Sequence, residues 1–265
     1  RQYAADGSVC GWSHAVRLPA TGGGDEYIAP AATPKDAVAG KLSGDSPAFS
    51  PDGSLVGTVD GEQVHFWNAA DGTPLDTLAG DAFVFSPDGS TLALQQPDGW
   101  YLYATAAQKP AASAGRRLTD RGLALYFSAD GKTVVAEGNT YENNDGRVRV
   151  YDVKTGTLRL KVQDVTFPTA ISPNGSVLAA AMAKSNGPRD YETIVLWDTA
   201  SGTKLQELQA EIQSQIPLAG MRGHYQVDSI AFSPDGRILL SSGPDAVRLW
   251  DTATGEHLRC YQTPE

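Results

Sequence analysis

Apolar and polar positions alternate over short runs, and turn-forming residues interrupt them at near-regular intervals along the chain. Runs such as Ser54-Leu55-Val56-Gly57-Thr58-Val59 and Arg237-Ile238-Leu239-Leu240-Ser241 are continuous and apolar, as buried strands are. Each precedes a period-two segment ending in an aromatic residue: Val64-His65-Phe66-Trp67, Val148-Arg149-Val150-Tyr151, Val195-Leu196-Trp197 or Val247-Arg248-Leu249-Trp250. A polar turn over 198–202 or 251–255 follows, then a further strand such as Thr157-Leu158-Arg159-Leu160-Lys161. The pattern predicts four strands per unit. Ala210 to Ile216 is the only helix candidate, and it is short for one.

The units share a phrase. It reads Phe49-Ser50-Pro51-Asp52-Gly53, Phe85-Ser86-Pro87-Asp88-Gly89, Phe127-Ser128-Ala129-Asp130-Gly131, Ile171-Ser172-Pro173-Asn174-Gly175 and Phe232-Ser233-Pro234-Asp235-Gly236, with a weaker copy at Tyr3-Ala4-Ala5-Asp6-Gly7. Its glycines, Gly7, Gly53, Gly89, Gly131, Gly175 and Gly236, stand 46, 36, 42, 44 and 61 residues apart. Proline second and glycine fourth fit a type I turn closing a hairpin. Such a unit cannot bury both faces alone, so the units must stack. The expected fold is all-β: one β-propeller over residues 1–265, of six four-stranded blades, with seven as the less favoured count. The longest interval is too short for two blades of the length seen elsewhere.

The last unit resembles a WD40 repeat nearly throughout, with Gly223-His224, the turn at Ser233 to Gly236 and Trp250-Asp251. Trp197-Asp198, Tyr151-Asp152 and Trp67-Asn68 echo the signature dipeptide, and Tyr101-Leu102-Tyr103 stands in its place in the third unit. The chain therefore resembles WD40-repeat propellers of the degenerate, bacterial type. That resemblance implies one structural tetrad, His224, Ser241, Asp245 and Trp250, with the loop to Asp245 one residue shorter than usual. It also implies a module that binds protein or peptide partners without catalysis.

Composition narrows the chemistry. The 28 glycines and 16 prolines exclude a helical bundle, and 41% hydrophobic residues exclude disorder. A net charge of −10 argues against a nucleic-acid partner. The longest apolar stretch, Val177 to Ala183, is too short to cross a bilayer, so no membrane insertion is expected. With Arg1 in place of methionine, the chain is expected to be a piece of a longer product.

Catalytic constellations are missing. Gly11-Trp12-Ser13-His14-Ala15 lacks the second glycine of a nucleophile elbow. Gly131-Lys132-Thr133 copies the tail of a phosphate loop, but Tyr126 occupies the place of its first glycine. His14, His65, His224 and His257 are scattered along the chain without metal-ligand spacing. Nine Asp-Gly pairs fall where hairpin turns are needed. Glu142, Asn143, Asn144 and Asp145 form the one oxygen-rich cluster, a weak calcium candidate. Asn174-Gly175-Ser176 matches a glycosylation sequon within the repeated turn. No cofactor is expected.

Loop length separates the two ends of the units. The connections between strands one and two, and three and four, read as short and nearly identical. Those between strands two and three, and from unit to unit, diverge at 19–26, 138–147, 184–192 and 209–226. Insertions gathered on one face of a repeat array mark its binding surface. Trp100, Tyr141, Glu142, Asn143, Arg189, Tyr191, Met221, Arg222 and Tyr225 are its candidate contacts; Trp100 and Tyr225 serve equally well as packing residues within the blades. The alternative function is a small-ligand sensor or a propeller-fold enzyme working in the central funnel. Cys10 and Cys260, the two cysteines, fall in the first and last units, where a disulfide would staple the ring and favour an extracytoplasmic setting.

Overall fold

A computed structural model describes residues 45–262, apart from 107–109, 111–113, 120–121, 139–147, 164, 185–190, 210–226 and 244–245. All of them lie within the compact unit Ala39–Glu265. They form five four-stranded antiparallel sheets and no helix. Sheet one runs β1 (Asp45–Phe49), β2 (Leu55–Asp60), β3 (Gln63–Asn68), β4 (Pro74–Ala79). Sheet two holds β5 (Ala82–Phe85), β6 (Thr91–Gln96), β7 (Gly99–Ala104) and β8 (Arg116–Thr119). Sheet three holds β9 (Gly122–Phe127), β10 (Thr133–Gly138), β11 (Val148–Asp152) and β12 (Leu158–Val162). Sheet four holds β13 (Thr166–Ile171), β14 (Val177–Lys184), β15 (Tyr191–Asp198) and β16 (Lys204–Gln209). Sheet five holds β17 (Ser229–Phe232), β18 (Ile238–Ser242), β19 (Ala246–Asp251) and β20 (His257–Gln262). In every sheet the strands pair in chain order.

Period-two alternation gives each sheet two apolar faces, and each facing pair of sheets encloses its own core. Val64 and Phe66 meet Leu92 and Leu94 between sheets one and two. Leu102 and Leu118 meet Leu125 and Val134 between two and three. Val135, Val150 and Leu160 meet Leu178 and Val195 between three and four, and Ile194, Leu196 and Leu208 meet Ile230, Leu239 and Trp250 between four and five. Neighbour-to-neighbour burial of this kind is the stacking of propeller blades. The first strands β13 and β17 run beside each other, whereas the last strand, β20, is exposed from His257 to Tyr261.

The repeated phrase builds the turn between strands one and two. The Gly53 N–H donates to the Ser50 carbonyl at 2.8 Å, the type I turn bond. The serine side chain adds two more bonds. Ser50 Oγ donates to Asp52 Oδ1 at 2.6 Å and accepts the Leu55 N–H at 2.9 Å. Ser86, Ser128, Ser172 and Ser233 repeat both bonds, to Asp88, Asp130, Asn174 and Asp235 and from Thr91, Thr133, Val177 and Ile238. Ser86 and Ser128 are fully buried, so the hydroxyl closes the strand ends from within.

The signature dipeptide builds the turn between strands three and four. The Gly156, Gly202 and Gly255 N–H groups donate to the carbonyls of Asp152, Asp198 and Asp251 at 2.8–2.9 Å. Each of those carboxylates also accepts a main-chain N–H: Thr155 at 2.8 Å, Ser201 at 2.7 Å and Thr254 at 2.9 Å. Asn68 plays the same part in sheet one. Sheet two departs from the expectation that these turns are uniformly short. Its connection spans 105–115, because Ala104 occupies the acidic place and no glycine follows at the turn spacing.

The first expected unit, around Gly7, and the helix candidate Ala210–Ile216 lie outside the described residues. Cys260 is exposed in β20, and Cys10, its expected disulfide partner, lies outside the described residues.

Candidate interaction face

The hairpin turns between strands one and two lie together at one end of the stack. Each turn glycine after the first sits against the preceding sheet. A Cβ at Gly89 would stand 3.6 Å from Pro51 Cδ, one at Gly131 3.3 Å from Asp88 Oδ1, and one at Gly236 3.5 Å from Pro173 Cδ; one at Gly175 would collide with Thr133. The Asp130 N–H donates to the Pro173 carbonyl at 3.0 Å, tying the turns of sheets three and four directly. The turns between strands three and four emerge at the same end. There Arg116 of β8 donates to the Lys154 carbonyl at 2.7 Å and Gln206 of β16 to the Ala253 carbonyl at 2.8 Å.

This end is acidic and its carboxylates are locally satisfied. Serine hydroxyls hold Asp52, Asp88 and Asp235 below the usual carboxylate range. Main-chain N–H groups do the same for Asp71, Asp152, Asp198 and Asp251. Asn174 Oδ1 likewise accepts from Ser172 Oγ at 2.9 Å, Ser176 N at 3.1 Å and Ser176 Oγ at 2.8 Å, which gives the sequon asparagine a structural role.

The opposite end receives the connections between strands two and three and the crossovers between sheets. In sheets one and two these are tight, with Asp60 facing Gln63 and Gln96 facing Gly99 in register. In sheets three and four the chain inserts 139–147 and 185–190, and 210–228 separates sheets four and five. The strands of sheet four are also long: β14 and β15 stay paired to Lys184 opposite Tyr191.

Tyr191 therefore stands at the outer end of β15, beside the 185–190 connection. Tyr141, Glu142, Asn143, Asn144, Asp145, Arg189, Met221, Arg222, Tyr225, His224 and Asp245 lie outside the described residues. Trp100 corrects the sequence reading. It pairs with Gln95 and Thr119 in the middle of sheet two, is 2% exposed, and packs with Leu102, Leu118, Leu125 and Val134. Its ring belongs to the core between sheets two and three and offers no contact surface.

Two tetrad positions are described. Trp250 Nε1 donates to Ser241 Oγ at 2.9 Å, both residues buried. Sheet one carries a weaker copy at equivalent register, Trp67 Nε1 to Thr58 Oγ1 at 3.3 Å. The matching places in sheets two to four are Leu94, Ala136 and Ala180, which have no hydroxyl to offer.

Sequence reasoning missed one polar group near the loop-bearing end. Glu137, next to the last residue of β10, accepts the Thr169 hydroxyl from β13, and Tyr126 OH lies 2.5 Å from the same Thr169 Oγ1. Burial lifts the Glu137 carboxyl above its usual range and pushes the Tyr126 phenol up as well. In the next sheet back, Gln95 occupies the equivalent position and donates to the Gly122 carbonyl at 3.0 Å. A polar residue at this place in two successive sheets was the available signal.

The fold and the turn chemistry together define a propeller-like repeat protein of stacked four-stranded sheets. A family model described as "WD domain, G-beta repeat" matches residues 215–251. Apoptotic protease-activating factor 1 of Danio rerio is 34% identical over 133 residues, 48% of this chain and 8% of that protein. WD repeat and SOCS box-containing protein 1 of Homo sapiens is 31% identical over 117 residues, 41% of this chain and 23% of its own length. Among solved structures, Kuenenia stuttgartiensis hydrazine synthase superposes with a TM-score of 0.53 at 18% identity, covering 82% of this chain and 65% of that one, a likeness of fold. Residues 215–251 thus match a WD40 repeat, and the chain is similar to WD-repeat proteins over about half its length or less. It spans less than a quarter of the length of either curated relative described above.

Proposed function

We propose that this chain is a non-catalytic interaction module that docks a protein or peptide on the end bearing the connections between strands two and three. The observation that carries the reading is the inequality of the two ends. One is built from the same turn five times over, each after the first seated on the preceding sheet; the other gathers its insertions at 139–147 and 185–190 in sheets three and four and at 210–228 between sheets four and five. Varied loops on a rigid repeat scaffold are where recognition is placed in such arrays. Relatives named for WD repeats and a SOCS box support a scaffolding role. Tyr141, Glu142, Arg189, Tyr191, Met221, Arg222 and Tyr225 are the contacts we assign, with His224 and Asp245 completing the Ser241–Trp250 pair.

The test is crosslinking of the isolated chain to partners captured from its native source, in wild type and in Tyr141→Ala, Tyr191→Ala and Ser90→Ala variants. Loss of capture with either tyrosine variant and retention with Ser90→Ala is expected, because Ser90 lies on the opposite, turn-bearing end. Loss on Ser90→Ala alone overturns the assignment.

The same reading takes the ring as six blades, with the stretch around the Asp6-Gly7 turn supplying one. A chain beginning near residue 39 that unfolds at the wild-type temperature would refute that count. The sensor or enzyme alternative rests on Glu137, a carboxyl that burial holds above its ordinary range.

A further inference from the structure

We propose that Asn174 is a latent deamidation site whose reaction the folded turn blocks and whose aspartate product the turn is built to accept. An asparagine followed by glycine is the dipeptide most open to this chemistry, since glycine leaves the following nitrogen unhindered. In the reaction the Gly175 main-chain nitrogen attacks Asn174 Cγ. The bond from Cγ to the side-chain nitrogen breaks, and ammonia leaves with the proton from Gly175, giving a cyclic succinimide. Water then opens the ring. Attack at Cγ gives ordinary aspartate, and attack at the main-chain carbonyl gives isoaspartate.

Both reacting groups are held in the fold. The Gly175 N–H donates to the Ser172 carbonyl at 2.8 Å. The amide oxygen of Asn174 is pinned by three donors, Ser172 Oγ, Ser176 N and Ser176 Oγ, at 2.8–3.1 Å. Gly175 is buried against Thr133, and the adjoining Pro173 carbonyl accepts the Asp130 N–H of sheet three. Attack requires the nitrogen to leave its acceptor and the side chain to swing free, so it requires the turn to open.

The two products then part ways. The other four turns hold aspartate at this place, and Asp52, Asp88 and Asp235 accept the same serine hydroxyl and main-chain donors that Asn174 does. Aspartate at position 174 meets an acceptor site already fitted to it. Isoaspartate adds a carbon to the main chain between Pro173 and Gly175, where Thr133 and the Asp130 N–H leave no slack. Such a chain loses the joint between sheets three and four.

The experiment incubates the folded chain and the urea-denatured chain at mildly alkaline pH and quantifies both products at position 174 by peptide mass spectrometry. Deamidation at least about tenfold slower in the folded chain is expected, as for a reaction that proceeds through local opening. Ser172→Ala should speed the folded reaction; if that variant fails to fold, Ser176→Ala, which removes one pinning bond, takes its place. Asn174→Asp should melt at or above the wild-type temperature, and aged chains that refold should carry aspartate rather than isoaspartate. Equal rates in folded and denatured chains, an unchanged rate in both serine variants, or refolding of isoaspartate chains to full stability would each overturn the proposal.

Discussion

The Thr169 hydroxyl donates to the Glu137 carboxylate across the joint between sheets three and four, and burial raises that carboxyl above its usual range. A raised folded value means the folded state binds the proton more tightly than the unfolded chain does. The associated stability is fully present below the unfolded value of about 4.3 and is lost as pH rises through the folded one. Glu137→Gln keeps an acceptor for Thr169 and removes the charge. It should raise Tm at pH 7 by about 1–3 °C, a gain of under 1 kcal/mol for a chain of this length. The gain should vanish near pH 4, and thermal melts at the two pH values check it.

Acid acts in the opposite sense on the turn-bearing end. Asp52, Asp88, Asp152, Asp198, Asp235 and Asp251 are held below the ordinary range by serine hydroxyls or main-chain donors. Their contribution is present above the unfolded value of about 3.9 and disappears as pH falls through the depressed folded values. Stability should therefore decline below about pH 4. In carboxylate NMR titrations the Asp88 midpoint should move upward in Ser86→Ala, because the hydroxyl is its largest stabilising partner.

Ser241→Ala strands the buried Trp250 indole N–H and should cost about 1–3 kcal/mol in denaturant unfolding. Thr58→Val in sheet one breaks a longer, partly buried bond and should cost no more than about 1 kcal/mol. Asp245→Ala distinguishes a pair from a tetrad: a loss of about 1–3 kcal/mol is expected if Asp245 belongs to the same network. A loss under about 0.5 kcal/mol would leave Ser241 and Trp250 as a pair.

Trp100 separates packing from recognition. Its ring is buried between sheets two and three, so Trp100→Ala should cost about 3–5 kcal/mol. Trp100→Phe, which refills most of that space, should capture partners as wild type does. Crosslinking with the phenylalanine variant is the check.

The strands were legible because alternation and turn residues impose them locally. Leu55 to Val59, Val148 to Tyr151 and Val247 to Trp250 all lie in strands where the pattern placed them. Pro51 and Gly53 announced the turn through their own backbone preferences, but Ser50 did not, since its work lies in hydrogen bonds to Asp52 and Leu55. Its recurrence five times in the same place was the overlooked signal. The connection at 105–115 was missed because its neighbours in the pattern all carry Asp or Asn and, four residues on, Gly, whereas it has no Asp or Asn and its one glycine, Gly115, comes only at its end. Trp100 was ambiguous for a different reason. Trp100, Tyr101 and Tyr103 put aromatic rings on both faces of one strand, and alternation alone does not say which face is covered.

The seating of the turns has a direction. Gly89 leans on Pro51, Gly131 on Asp88, Gly175 on Thr133 and Gly236 on Pro173, so every described turn after the first rests on the sheet that precedes it in the chain. During synthesis, which delivers the earlier segments first, each hairpin leaves the ribosome with its resting place already made. The order of translation and the order of seating run the same way, so the last sheet of a chain halted partway carries the seat that the next turn would occupy.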